Sequence, residues 1–123
     1  MNILVVEDDS VSRGALVALL ASERHEAREA ARGSEAVEAC REALPDLIIV
    51  DYDLPDGTGL DVLREVRDAC GAAPPALLVT GQSLGPRARA RVAAAGARVL
   101  RKPISPQDLL AHVRAAPLGA SLA

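Results

Sequence analysis

Aromatic residues are almost missing from this chain of 123 residues, which has no Phe, no Trp and a single tyrosine, Tyr52. A buried core must therefore be built from Leu, Val, Ile and Ala. Lysine is scarcer than it looks: Lys102 is the only one, and the other thirteen basic residues are arginine. The two cysteines, Cys40 and Cys70, have neither metal-ligand nor redox spacing, which leaves reduced thiols of a cytoplasmic protein as their reading. The two histidines, His25 and His112, stand alone and read as surface residues. No apolar stretch approaches the roughly 20 residues that a membrane span needs. The opening "MNILVVEDD" has no basic region ahead of its apolar run, which argues against a signal peptide. Phosphate-cradling glycine loops of the nucleotide-binding kinds are absent too.

What is present divides unevenly. Residues 1–61 hold 5 Arg and 14 acids, net −9, whereas residues 62–123 hold 8 Arg, one Lys and 3 acids, net +6. The overall charge of −3 argues against direct nucleic-acid binding. Arg87, Arg89 and Arg91 concentrate part of the positive half and read as a solvated helix face, with an acidic protein partner as the second reading.

Five short strand-like runs alternate with helical patterns. "NILVV" (2–6), "HEARE" (25–29), "DLIIV" (46–50), "ALLVT" (76–80) and "RVLR" (98–101) read as strands. Three are continuously apolar, as strands covered on both faces of a parallel sheet should be. Helices are expected near 10–22, 34–43, 58–69, 86–95 and 105–115. In the third, Leu60, Leu63 and Val66 share one face while Asp61, Arg64, Glu65 and Asp68 take the other. "SPQD" places Ser105 as N-cap with Pro106 at the first helical position. One domain is expected over residues 1–116, with 117–123 as a flexible tail or linker stump. The alternation predicts an α/β fold: a doubly wound five-stranded parallel sheet with right-handed crossovers and five helices.

In such sheets, ligands sit beyond the carboxyl ends of the strands. The residues gathered there are Glu7-Asp8-Asp9, Asp51, Thr80 and Arg101-Lys102-Pro103. Taken singly, each has a dull explanation as a cap, a turn residue or a strand end; together they form a chemistry. Clustered carboxylates repel and raise one another's pKa unless a cation joins them. Glu7, Asp8, Asp51 and a loop carbonyl suit a small hard ion, Mg²⁺. Lys102 supplies a compact point charge where a guanidinium fork would be bulkier. A cation, an ammonium and the Thr80 hydroxyl around an exposed carboxylate would stabilise a phosphoryl group in transfer, with Asp51 as nucleophile.

The stretches "ILVVEDD", "DLIIVDYDLPDGTGLDVLREVR", "LLVTG" and "GARVLRKPISPQDLL", in this order, resemble the receiver domain of two-component response regulators over nearly the whole chain. The resemblance implies a flavodoxin-like sheet of order 2-1-3-4-5 and Asp51 as acceptor of phosphate from a sensor histidine kinase or a histidine phosphotransfer protein. It implies Mg²⁺ bound by Asp8 directly, by Glu7 through water, by Asp51, and by the main-chain carbonyl of Asp53. It further implies Thr80 and Lys102 at the phosphoryl oxygens, a cis Lys102-Pro103 peptide, and Asp53 and Gln82 as modulators of phosphoryl lifetime. Such a domain signals rather than acting as an enzyme, although it assists its own phosphorylation and dephosphorylation, and it admits a phosphorylation-dependent homodimer. Val99 departs from the family, standing where an aromatic switch residue is common. "RVLRKPISPQDLLAHV" leans toward receivers of hybrid kinases. Two rivals remain: a haloacid-dehalogenase-like phosphatase, since "IIVDYDLP" carries Asp-x-Asp after a strand, and a receiver that serves only as an interaction module.

Overall fold

The computed structural model describes the backbone of residues 1–122 and the side chains of residues 1–115. Five parallel strands form the sheet: β1 (Asn2–Val6), β2 (Glu26–Ala30), β3 (Leu47–Asp51), β6 (Ala76–Thr80) and β7 (Ala97–Arg101), in the order β2-β1-β3-β6-β7. Between β3 and the next helix lies a miniature antiparallel hairpin, β4 (Asp53–Leu54) and β5 (Gly57–Thr58). With that hairpin set aside, the order is the predicted 2-1-3-4-5. The helices are α1 (Ser10–Ser22), α2 (Gly33–Glu42), α3 (Gly59–Cys70), α4 (Pro86–Ala94) and α5 (Pro106–Leu122).

The alternation of side chains along each strand explains the two-faced core. Leu4, Val6, Ile48, Val50 and Leu78 pack with Ala36, Val37, Leu63 and Val66 from α2 and α3 and with Val92 from α4. Ile3, Val5, Leu47, Ile49, Leu77 and Val79 pack on the other face with Leu16 and Leu20 of α1 and with Leu109 and Val113 of α5. Each fully buried aliphatic side chain is worth about 1.5–3 kcal/mol relative to exposure, so branched aliphatics replace the missing rings.

Local chemistry sets the helix ends. Asp9 caps α1 by accepting from the Ser12 amide at 3.0 Å. Thr58 and Asp61 form a reciprocal capping box at the start of α3. Ser105 accepts from the Asp108 amide at 3.3 Å. Arg28 on the polar edge strand β2 donates to the carbonyls of Ala39 and Ala43 at 2.9 and 2.6 Å, satisfying the end of α2. The last helix is longer than expected: it runs to Leu122, past the expected end at residue 115. Residues 115 and 116 are alanines, the best helix formers, and neither Pro117 nor Gly119 ends the segment.

Gly59 marks the tightest approach in the fold. A Cβ built there would lie 2.6 Å from Leu78 Cδ1 and 2.7 Å from the Asp51 carbonyl oxygen. Gly14, inside α1, has nothing within 4 Å of the same position. Gly59→Ala should therefore destabilise by about 1–3 kcal/mol through overpacking, while Gly14→Ala should stabilise by about 0.5–1 kcal/mol. Urea titrations of the two variants check this; equal midpoints would contradict it.

Candidate functional site

The carboxyl ends of four strands deliver the site. Glu7 follows β1, Asp51 closes β3, Thr80 closes β6, and Lys102 follows β7. These four residues lie at one edge of the sheet, as the strand-end rule requires. Glu7, Asp51 and Thr80 are buried, at 4, 5 and 0 % exposure, while Asp8 stays open to solvent. A carboxylate oxygen from each of Glu7, Asp8 and Asp51 lies within 4.8 Å of the others. The Lys102-Pro103 peptide is cis.

Lys102 binds the cluster together. Its Nζ donates to Asp51 Oδ2 at 2.8 Å and to Glu7 Oε2 at 3.5 Å. Burial pulls the ammonium pKa down, but the bond to Asp51 and the charges of Asp51 and Glu7 outweigh it, so the net shift is upward. Glu7 also shifts upward, which for a carboxyl favours the neutral form: burial, then its bond to Asp51, push its pKa up to about 7 from 4.5. One ammonium does not neutralise two buried carboxylates, and burial favours the neutral form of Glu7.

That imbalance is the observation against which a metal is judged. The donors are all carboxylate oxygens, close together, partly buried and short of positive charge, which suits a hard divalent cation such as Mg²⁺. Asp53, the fourth expected ligand, has an exposed side chain, and its amide donates to Asp51 Oδ1 at 3.1 Å. The cluster therefore contains no Asp53 carboxylate.

Two further contacts had no counterpart in the sequence reading. The Asp9 amide donates to Glu7 Oε1 at 3.1 Å, and Arg13 Nη1 donates to the Glu7 carbonyl at 2.7 Å while its Nε pairs with Glu29 at 3.0 Å. Arg13 stands six residues beyond Glu7, a spacing with no pattern to single it out. Thr80 is at the site, but its hydroxyl faces along its own loop: it donates to the Gln82 carbonyl at 3.1 Å and accepts from the Gln82 amide at 3.2 Å. Val99 is 37 % exposed on the edge strand β7 and lines a cavity of about 340 Å³ with Leu84, Arg89 and Arg101. Both cysteines are free, and burial pushes the Cys40 thiol up.

Known proteins resemble this chain in sequence and in fold. The family model of the response regulator receiver domain matches residues 3–114. The DNA-binding response regulator MtrA of Mycolicibacterium smegmatis is 33% identical over 114 residues, 93% of this chain and 49% of that protein. The transcriptional regulatory protein DltR of Streptococcus agalactiae is 32% identical over 114 residues, 93% of this chain and 50% of its own. Among solved structures, the CheY-like receiver domain protein of Methanospirillum hungatei superposes with a TM-score of 0.83 at 26% identity, covering 92% of this chain and 90% of that one. The chain spans about half the length of the curated relatives it matches. These relatives correct the expectation that nucleic acid has no place among the partners: MtrA is named as DNA-binding. The net charge of a stretch half their length does not report on a property named for the whole protein.

The raised pKa of Glu7 sets a pH dependence. In chelator-treated protein, the folded state holds a proton that the unfolded state releases between pH 4.5 and about 7. The stability it contributes is present below 4.5 and lost as pH rises through about 7, at a slope of at most about 1.4 kcal/mol per unit. Glu7→Gln should flatten that part of the profile. Parallel profiles of unfolding free energy against pH for wild type and variant would refute the assignment.

Proposed function

This chain belongs to the response regulator receiver domain family of two-component signalling systems, and on that premise we propose that Asp51 accepts a phosphoryl group from a phosphohistidine in a Mg²⁺-dependent step that then switches the domain. The observation that carries this reading is the bond of 2.8 Å from the sole lysine to a buried strand-end aspartate, within a cluster of three carboxylates. In the transfer, the N–P bond of the donor breaks and an O–P bond forms on the Asp51 carboxylate. Glu7, Asp8, Asp51 and the Asp53 carbonyl would hold Mg²⁺, which when bound neutralises charge on the transferring oxygens.

The chain's own residues do the rest. The Asp53 amide and Lys102 Nζ each occupy one oxygen of Asp51 and hold the carboxylate in orientation before transfer. Lys102, with three rotatable donors, can follow charge from the carboxylate to the phosphoryl oxygens. Thr80 must rotate to donate there, and in doing so it gives up both bonds to Gln82. This makes Thr80 the link between chemistry and the segment leading into α4. Val99 has little bulk to fill the space Thr80 leaves and is stiff at χ1, so the response should run through the loop after Thr80 rather than through β7.

The domain is a signalling element that assists its own phosphorylation and dephosphorylation. We place it in the cytoplasm, where two-component signalling would use it; among the described residues no helix is long and apolar enough to cross a membrane. The receiver unit is taken as residues 1–116. With the family match running over residues 3–114, the haloacid-dehalogenase alternative is left without support, and the intact set of Glu7, Asp8, Asp51, Thr80 and Lys102 argues against a purely non-phosphorylated module.

With Mg²⁺ and acetyl phosphate, intact-mass measurement should show one acid-stable, base-labile phosphoryl adduct, absent from Asp51→Asn. Lys102→Ala should slow its formation roughly 100-fold, the scale for removing one preorganised charge donor, and Thr80→Ala should still accept phosphate. An undiminished adduct on Asp51→Asn would end this reading.

The switch has its own measurement. Amide shifts recorded with and without beryllofluoride should change most at residues 51–59 and 80–92. A response dominated by Val99 and its β7 neighbours would show that the signal travels along that strand instead.

A further inference from the structure

We infer that Asp56 is a positioning residue, which anchors the tip of the loop between β3 and α3 to the first turn of α2 and so fixes residues 53–58 beside Asp51. The inference deepens the reading of Asp51 as phosphoryl acceptor and rests on it for its functional meaning.

The loop has little to hold it by itself. It leaves the sheet at Asp51, turns through a hairpin with only two paired residues on each side, and re-enters the fold at Gly59. A two-stranded ribbon of ordinary length is marginal alone, and this one is shorter still. Its base is tied by the Asp53 amide, which donates to Asp51 Oδ1, by the Tyr52 amide, which donates to the Val79 carbonyl at 2.8 Å, and by the Gly59 amide, which donates to the Tyr52 carbonyl at 2.8 Å. Its tip, Pro55-Asp56, lies beyond these ties.

Asp56 supplies the missing one. Its Oδ1 accepts from the Gly33 amide at 2.8 Å and its Oδ2 from the Ser34 amide at 3.0 Å. These are first-turn donors of α2 that have no partner within the helix. Arg32, the N-cap residue of α2, makes no side-chain bond to them. A residue more than twenty positions away therefore caps α2, using both carboxylate oxygens, at the end of a helix where negative charge is favoured. The Gly33 bond, then the Ser34 bond, hold the Asp56 carboxyl below the usual range, so the clamp is ionised near neutrality.

The packing around the clamp leaves no slack. A Cβ on Gly33 would stand 2.9 Å from Val62 Cγ2 and 3.2 Å from Asp56 Oδ1. The first turn of α2, the loop tip and the first turn of α3 are thus in mutual contact. Asp53 sits three residues from the clamp, within the same hairpin, so its main chain is held from both sides.

Hydrogen exchange and Mg²⁺ titration decide the matter together on four proteins: wild type, Asp56→Ala, Asp56→Asn and Val113→Ala. The last is a core truncation on the opposite face of the sheet, included to match a general loss of stability. Asp56→Ala should speed exchange about tenfold, the factor for one lost interaction of about 1.4 kcal/mol, at Gly33 and Ser34 and also at Asp53 and Gly59. Asp56→Asn, which keeps one acceptor oxygen, should recover part of that protection, and Val113→Ala should show no such local pattern. The Mg²⁺ concentration that half-saturates Tyr52 emission should rise several-fold in Asp56→Ala and stay at the wild-type value in Val113→Ala. Exchange that rises at Gly33 and Ser34 alone, or unchanged Mg²⁺ binding in Asp56→Ala, would reduce Asp56 to a helix cap and overturn the inference. Wild-type protein that neither binds Mg²⁺ nor accepts phosphate would instead overturn the reading of Asp51, while the exchange pattern at Asp53 and Gly59 would still decide whether Asp56 positions the loop.

Discussion

Two carboxylates, Glu7 and Asp51, are buried within reach of one another, and a single ammonium answers both. Burying a charge without a partner is among the most unfavourable things a fold can do. The site exists because Lys102 reaches Asp51 at 2.8 Å and Glu7 at 3.5 Å from the far end of the chain. Everything at this edge follows from the shortage of positive charge that remains. Burial pushes the Glu7 carboxyl up to about 7, and Asp8, exposed beside them, completes a cluster of carboxylate oxygens that lie within 4.8 Å of one another.

The sheet makes that concentration of charge tolerable. In the three inner strands β1, β3 and β6, buried on both faces, the side chains ahead of the carboxyl ends lie in apolar surroundings, so polarity there gathers at those ends. The core lacks aromatic rings and is filled by interdigitating Leu, Ile and Val on two faces. The two edge strands, β2 and β7, carry Glu26, Arg28, Glu29, Arg98 and Arg101, charges that keep the sheet from pairing with another chain. Stability and reactivity are thereby assigned to different parts of each strand.

Around the site, mobility is also divided. Asp51 is restrained through the Asp53 amide, the close approach of Gly59 and the anchored hairpin tip, whereas the Thr80 hydroxyl, on a residue whose main chain is fixed in β6, bonds only to Gln82 of its own loop. A two-state element needs one part that stays and one that moves. The β3–α3 loop fits the first description and the segment after Thr80 the second.

Most of the architecture was legible in the chain. Continuous apolar runs marked β1, β3 and β6 to within a residue, and the helix starts were set by local groups such as Asp9, Pro86 and Ser105, because propensity and capping act over a few residues. That Glu7, Asp8, Asp51, Thr80 and Lys102 come to one edge was legible too, since strand ends in a doubly wound sheet converge whatever lies between them. Tertiary structure alone decided the rest: that Lys102 serves two carboxylates, that burial raises the Glu7 carboxyl, that Thr80 turns toward Gln82, and that Asp56 reaches α2. In the sequence, "PDG" around Asp56 reads as a turn and nothing more. The distances that matter there join residues 23, 51 and 95 positions apart, and only the packing of the folded chain sets separations of that kind.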